Sequence, residues 1–143
     1  MKNNIILHSI EDRPEVVNAL IAFAHPKTNS LSLTVYLNKL MAMKGLTPSQ
    51  VYHRAELDRQ TYNRLIQFAN PKRAAKRTLM QICIGILATE SEAEALLATC
   101  GYRFEPNVIE DTAVMFCVRC GYHSIYNVME AIDILKNTHQ FSR

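Results

Sequence analysis

Apolar residues recur at intervals of three and four along most of the chain, which is the spacing of one face of an α-helix. Glycine, proline and short polar runs separate these stretches, and none of them alternates as a half-buried strand does. The clearest repeat comprises Leu33, Leu37, Leu40 and Met41, and Gly45 ends it in the manner of a left-handed cap. The pattern therefore predicts an all-α fold.

Capping signals mark several of the predicted helices. Thr47 is a candidate N-cap, with Pro48 after it and Gln50 three residues on, and Asp58 caps the next helix. Helix 110–120 is apolar nearly all round, so it needs cover on more than one side. The predicted helices run over about 14–25, 33–44, 47–55, 58–67, 78–87, 89–100, 110–120 and 124–136.

Composition agrees with a compact soluble protein, because 143 residues with 48% hydrophobic content suffice to bury a core. No apolar run approaches the roughly 18 residues that a membrane span needs. The N-terminus does not read as a secretory signal, and four irregularly spaced cysteines fit reduced thiols better than a disulfide framework. We therefore expect a cytoplasmic location and no membrane contact.

Residues 46–68 predict two short helices joined by a tight turn, the second of which presents side chains that read base edges. Arginine pairs with guanine, while asparagine and glutamine pair with adenine, and a helix fits the major groove. The inner positions Tyr62, Leu65 and Ile66 are apolar or aromatic and point toward a core. The candidate base-reading residues are Arg59, Gln60, Asn63, Arg64 and Gln67.

Positive charge is concentrated around this segment. Residues 49–77 hold seven Lys and Arg against two acids, whereas the whole chain has a net charge of only +3. A local basic face is typical of phosphate binding, although a plain solvated face has the same pattern. Ser49 and Gln50 at a helix start are either phosphate contacts or ordinary caps. The further phosphate candidates are Lys72, Arg73, Lys76 and Arg77.

Residues 33–100 resemble the phage-repressor-like (XRE, lambda-repressor-like) helix-turn-helix family. The resemblance centres on LTPSQVYHRAELDRQTYNRLIQF and continues through Lys76-Arg77-Thr78 to LLATCGY at residues 96–102. It is closest to a bacterial subgroup with two further C-terminal helices. The resemblance implies a compact five-helix core with an N-terminal helix and two additional C-terminal helices. It also implies binding to double-stranded DNA.

Two positions depart from the common family pattern. Tyr52 replaces the usual small residue where the two helices touch, so we expect it to widen the helix pair. Glu56 replaces the usual turn glycine, so we expect a different backbone geometry there.

On the basis of the resemblance, the chain divides into an N-terminal arm and helix (1–30), a helix-turn-helix core (31–103), and a C-terminal helical pair (104–143). The pair would pack on the core or in a dimer interface.

Cys117-x-x-Cys120-x-x-His123 has the short spacing of a zinc site, with Cys100 or His53 as conceivable further ligands. Structural zinc usually needs two separated ligand pairs, and the second pair is missing, so buried free thiols on the apolar stripe are the preferred interpretation. No catalytic constellation and no phosphate-binding glycine loop occur in the sequence. The sequence thus predicts neither a metal nor a cofactor, and no enzymatic activity.

Two functions remain open. The first is a DNA-binding transcriptional regulator that acts as a homodimer on a two-fold operator. The second is a helical adaptor or inhibitor that binds a partner protein through the basic face or the apolar C-terminal helices. RNA binding is less favoured, because the patch lacks the aromatic platform that single-stranded recognition usually uses.

Overall fold

A computed structural model describes residues 9–24, 32–67 and 74–138. The elements are a 3₁₀ turn (Ile10–Asp12), α1 (Pro14–Ala24), α2 (Leu33–Lys44), α3 (Pro48–Arg54), α4 (Arg59–Gln67), α5 (Lys76–Gly85), α6 (Glu90–Ala98), α7 (Ile109–Cys120) and α8 (Ile125–Lys136). No strand occurs within these ranges, which confirms the all-α prediction. The chain divides into two compact units, residues 1–30 and 31–143.

In the first unit, the Ser9 side chain accepts a hydrogen bond from the Glu11 amide and so caps the 3₁₀ turn that precedes α1. The helix then begins at Pro14, whose missing amide hydrogen is not needed in a first turn. Leu20 and Phe23 are both exposed on α1. The predicted end of this helix at His25 lies outside the described residues.

In the second unit, α2 to α6 form a five-helix core on which the C-terminal pair packs. Leu37, Val51, Leu79 and Leu96 are completely buried, and each comes from a different helix. Apolar burial of this kind is the main force that holds helices together. Helix α7 packs against α5 and α6, and α8 packs mainly against α7.

The capping signals predicted most helix boundaries correctly. Thr47 with Gln50 and Thr89 with Glu92 each form a complete capping box, and Gly45 ends α2 with a φ of 68°. Helix α5 is the exception, because it begins at Lys76 instead of residue 78. Its N-cap position is Ala75, whose side chain cannot accept a hydrogen bond from an amide, so no start signal is present at that position.

Helix α7 is covered on more than one side, as its apolar pattern predicted, because α5, α6 and α8 all pack against it. It buries one broad face through Ala113, Val114, Cys117 and Val118. Phe116 on the other side is 53% exposed, and its ring stacks on Tyr122 at 6.3 Å between centroids. Part of the apolar surface of α7 therefore remains open.

Candidate nucleic-acid interface

The turn between α3 and α4 keeps a left-handed backbone without glycine. Glu56 has a φ of 58°, and the amide of Leu57 donates to the Tyr52 carbonyl at 2.9 Å. The expectation that a residue other than glycine would change the backbone geometry is therefore wrong. The turn adopts a conformation that glycine favours, and the backbone of Glu56 is strained there because the residue has a Cβ.

Asp58 sets the start of α4. Its Oδ1 accepts a hydrogen bond of 2.7 Å from the Thr61 amide, as expected of an N-cap. The hydrogen bonds from the Thr61 amide and hydroxyl lower the pKa of Asp58, so the carboxylate stays ionised beside the positive helix end. The predicted cap is confirmed.

The inner face of α4 is held by aromatic, apolar and polar contacts. Tyr62 is 1% exposed, its hydroxyl lies 3.7 Å from the Met41 sulfur, and Leu65 is buried beside it. The Thr34 hydroxyl donates to the carbonyl of Ile66 at 2.8 Å, which joins α2 to the end of α4. Because these contacts fix the rotation of α4 about its axis, they also determine which side chains face outward.

The opposite face of α4 is polar. Gln60, Arg64 and Gln67 are exposed at the spacing of one helix face, Arg59 is exposed at its start, and Asn63 is half-buried. None of these five side chains has a hydrogen-bond or ion-pair partner among residues 32–67 and 74–138. Among the described residues, the structure thus leaves Arg59, Gln60, Arg64 and Gln67 open to solvent, whereas Asn63 is partly covered.

Tyr52 fills the contact between α3 and α4. Its ring centroid lies 5.6 Å from that of Tyr62 and 4.8 Å from that of His53. Such distances are typical of favourable aromatic pairs. The tilted rings of Tyr52 and Tyr62 therefore connect α3 to α4 at the position where the common family pattern has a small residue.

The two predicted residues at the start of α3 are exposed but already bonded. The Gln50 side-chain oxygen accepts from the Thr47 amide at 2.9 Å, and the Ser49 hydroxyl lies 3.1 Å from Nδ1 of His53. Capping is thus one role of Gln50. Its amide hydrogens and the Ser49 hydroxyl remain at the surface beside the helix end.

The two predicted phosphate-binding cations that the structure describes, Lys76 and Arg77, have different surroundings. Lys76 Nζ lies 2.5 Å from Oδ2 of Asp111, a carboxylate that is 2% exposed and also accepts from the Glu105 amide at 2.7 Å. Arg77 is exposed, but it lines a cavity of about 290 Å³ bounded by α5, α7 and α8. Lys72 and Arg73 lie outside the described residues.

Sequence reasoning missed the contact that seats α3 on α5. Arg54 donates to the Gly85 carbonyl at 2.8 Å, and Gln81 donates to the Ala55 carbonyl at 3.0 Å. A Cβ on Gly85 would lie 2.3 Å from the Val51 carbonyl oxygen and 2.9 Å from the Ala55 Cβ. A lone glycine inside a helical pattern was the available signal, since it often marks close backbone approach.

The cysteine and histidine motif of α7 is dispersed. Cys117 is buried, and burial raises the pKa of its thiol, whereas Cys120 is exposed. The expectation that both thiols are buried is wrong for Cys120, because the last turn of α7 reaches solvent. Nε2 of His123 lies 2.9 Å from the Ala88 carbonyl oxygen. Among the residues with described positions, no group of three metal-binding side chains occurs.

Comparison with known families agrees with the geometry of α3 and α4. Residues 36–84 match the family described as the Cro/C1-type HTH DNA-binding domain. This match confirms the repressor-like resemblance. No curated protein and no solved structure matches the chain. None of the described helices has the length and apolar character required to cross a bilayer.

Proposed function

We propose that this chain, whose residues 36–84 form a Cro/C1-type helix-turn-helix DNA-binding domain, is a cytosolic transcriptional regulator that inserts α4 into the major groove. The observation that carries the proposal is the polar outer face of α4. Gln60, Arg64 and Gln67 project from a helix whose opposite side is anchored by Tyr62 and Leu65. An anchored helix holds its side chains in a constant register against base edges.

Two kinds of contact would cooperate in this complex. Arg59, Gln60, Asn63, Arg64 and Gln67 supply base contacts, each good bidentate pair contributing about 1–3 kcal/mol of discrimination. Phosphate contacts come from Ser49 and Gln50 at the start of α3 and from Lys72, Arg73 and Arg77. Lys76 differs from these, because its ammonium group is engaged by Asp111, so it positions the start of α5.

The regulator would act as a homodimer, since two copies of α4 related by a two-fold axis fit an operator with half-sites about one helical turn, roughly 34 Å, apart. This arrangement doubles the number of base pairs read by a single short helix. It also predicts that the bound sites are palindromic.

Selection of genomic DNA fragments with the purified protein tests the proposal. One enriched palindrome is the expected result, and replacing Arg59 and Asn63 with Ala should remove the preference for it while retaining salt-sensitive binding to other DNA. Arg119→Ala is the matched control, because Arg119 lies on α7 and pairs with Glu90. Binding of equal strength to all sequences, or no binding at low salt, would contradict the proposal.

A second function is supported by the open surface of α7. Phe116 and Tyr122 form an exposed stacked pair, which is the kind of aromatic surface that protein partners contact. Under this alternative, the chain is a helical adaptor or inhibitor. A pulldown that returns one stoichiometric protein and no enriched DNA would favour it. Phe116→Ser should then release that protein, whereas Arg59→Ala should not.

A further inference from the structure

The cavity beside Arg77 is a half-open groove between α5, α7 and α8, with a volume of about 290 Å³. Met80 and Val114 of its lining are buried, whereas Met129 is 59% exposed. Small-molecule pockets begin at about 300 Å³ and combine an apolar lining with a few polar groups, so the groove suits a small ligand. Its other apolar lining residues are Ile84, Ile125, Val128 and Ile132.

The directions of the three helices place the charged lining residues at one end of the groove. The starts of α5 and α7 lie together, because Lys76 pairs with Asp111. Helices α7 and α8 pack against each other and are joined by residues 121–124 alone, so they are antiparallel and the end of α8 lies beside the start of α7. The charged residues of the lining all belong to these helix ends: Arg77, Glu110, Asp133 and Lys136.

The other end of the groove is apolar, because Ile84 lies near the end of α5 and both Ile125 and Val128 lie in the first turn of α8. At the charged end, two cations and two anions are all exposed. The ion pairs between described residues involve other side chains, so both signs are available to a ligand in this part of the chain. The groove therefore matches a molecule with an apolar body and a head that carries both charges.

We propose that the groove binds a free apolar amino acid. Its α-ammonium group donates to the carboxylates of Glu110 and Asp133, its α-carboxylate accepts from Lys136 and Arg77, and its side chain lies at the apolar end. Hydrogen bonds between charged groups of this kind are stronger than neutral ones. A fatty acid would leave the two carboxylates without a cation, and an alkylamine would leave the two cations without an anion, so a zwitterion is the better match.

Arg77 connects the groove with the proposed DNA contact. It lines the groove, and the proposed function also places its guanidinium group on a DNA phosphate. A carboxylate in the groove and a phosphate of DNA therefore compete for the same cation. The bound amino acid should lower the affinity for DNA, and DNA should lower the affinity for the amino acid by the same factor. This regulatory consequence rests on the proposed function, whereas the binding site itself does not.

Isothermal titration calorimetry of the full chain without DNA tests the site, with L-leucine, L-methionine and L-phenylalanine as probes. At least one of them should bind with one molecule per chain and a dissociation constant below about 1 mM. For leucine, the analogues isocaproate, which lacks the ammonium group, and isoamylamine, which lacks the carboxylate, should bind about 10-fold more weakly or not at all. Absence of binding by all three amino acids, or equal binding of an analogue that lacks one charge, would overturn the proposal.

Exposed charges allow variants that leave the core intact. Asp133→Asn and Lys136→Gln should each weaken binding of the amino acid about 10-fold. Glu130→Gln is the matched control, since Glu130 is an exposed carboxylate on the same helix that does not line the groove. Circular dichroism checks that all three variants are folded. Unchanged affinity in Asp133→Asn and Lys136→Gln, or an equal loss in Glu130→Gln, would overturn the assignment of the charged end.

Fluorescence anisotropy with labelled DNA measures the competition for Arg77. A saturating amount of the amino acid should lower the DNA affinity of the wild type about 5-fold, and Arg77→Gln should bind DNA more weakly but no longer respond. An unchanged wild-type affinity, with binding shown by calorimetry, would overturn the competition. A chain that binds the amino acid but no DNA would instead contradict the proposed function and support the site, so the two failures are distinguishable.

Discussion

Glu56 has a left-handed backbone conformation, which a residue with a Cβ disfavours. The turn retains a φ of 58° because Glu56 and Leu57 both donate backbone hydrogen bonds to carbonyls of α3, at 3.0 and 2.9 Å. Sequence reasoning treated the missing glycine as a sign of different geometry. The surrounding helices overrule that local preference, because α3 and α4 are both anchored in the core.

Glu56→Gly is expected to stabilise the protein by about 0.5–1 kcal/mol, because it removes the side-chain clash of left-handed backbone at a small cost in unfolded-state entropy. Urea denaturation measures the change in the free energy of unfolding. Glu56→Ala is the control, since it removes the same exposed carboxylate but keeps the Cβ. If the Ala variant gained as much as the Gly variant, strain at Glu56 would not be the cause.

Gly85 is the residue that lets α3 approach α5. Gly85→Ala is expected to destabilise the protein by about 1–3 kcal/mol, because the new Cβ would overlap the Val51 carbonyl oxygen and the Ala55 Cβ. Thermal unfolding measures this loss. An unchanged melting temperature would show that α3 can move away, and DNA affinity of the same variant would then report whether α4 moves with it.

At the scale of elements, the sequence predicted those helices whose signals are local. The capping boxes of α3 and α6 and the glycine at the end of α2 each lie within four residues of the boundary that they mark. The start of α5 has no such local signal, and its first residue, Lys76, pairs with Asp111, which lies 35 residues further along the sequence. A pattern read along the chain does not contain that pairing, so Lys76 looked like part of a basic loop.

Glu92 joins two elements as well as capping one. It closes the capping box of α6 and lies 2.9 Å from Nζ of Lys44 on α2. Burial alone would raise the pKa of Glu92, but hydrogen bonds from Lys44 and Thr89 outweigh it and hold this pKa below the ordinary value of 4.5. The ionised carboxylate therefore favours the folded state above the ordinary pKa, and this contribution disappears as pH falls through the lower folded value.

Glu92→Gln should accordingly cost about 1 kcal/mol at pH 7, since glutamine retains the capping box but loses the ion pair with Lys44. The difference from the wild type should shrink as pH falls below about 4. Urea denaturation at a series of pH values measures it. Glu94→Gln, on the exposed side of α6, is the control and should follow the wild type throughout. A difference independent of pH would remove the ion pair as its cause.

At the scale of the whole molecule, the candidate site was predictable where it follows from helix periodicity and unpredictable where it depends on long-range pairing. Periodicity identified Arg59, Gln60 and Gln67 as exposed because Tyr62 and Leu65 mark the buried side of α4. Asn63, which was also expected to face outward, is half-buried. The positive charges were counted together because they are close in sequence. The fold instead assigns Arg54 to the Gly85 carbonyl and Lys76 to Asp111, so net charge along the chain overstates the cations available to a ligand.

The salt dependence of DNA binding separates available cations from engaged ones. Each phosphate neutralised adds about −0.9 to the slope of log affinity against log salt, so Arg77→Gln, which removes a cation that the proposal places on a phosphate, should reduce the slope by about 1. Lys76→Met should leave the slope unchanged, because Asp111 already holds that charge. It should instead lower the free energy of unfolding by about 2 kcal/mol, because the buried carboxylate of Asp111 would lose its ion pair with Lys76, whose own side chain is only 25% exposed. Fluorescence anisotropy at several salt concentrations measures the slopes at a temperature at which both variants are folded. If the slope decreased equally in the two variants, Lys76 would have to release Asp111 and bind a phosphate in the complex. The Asp111 carboxylate would then compete with DNA for Lys76.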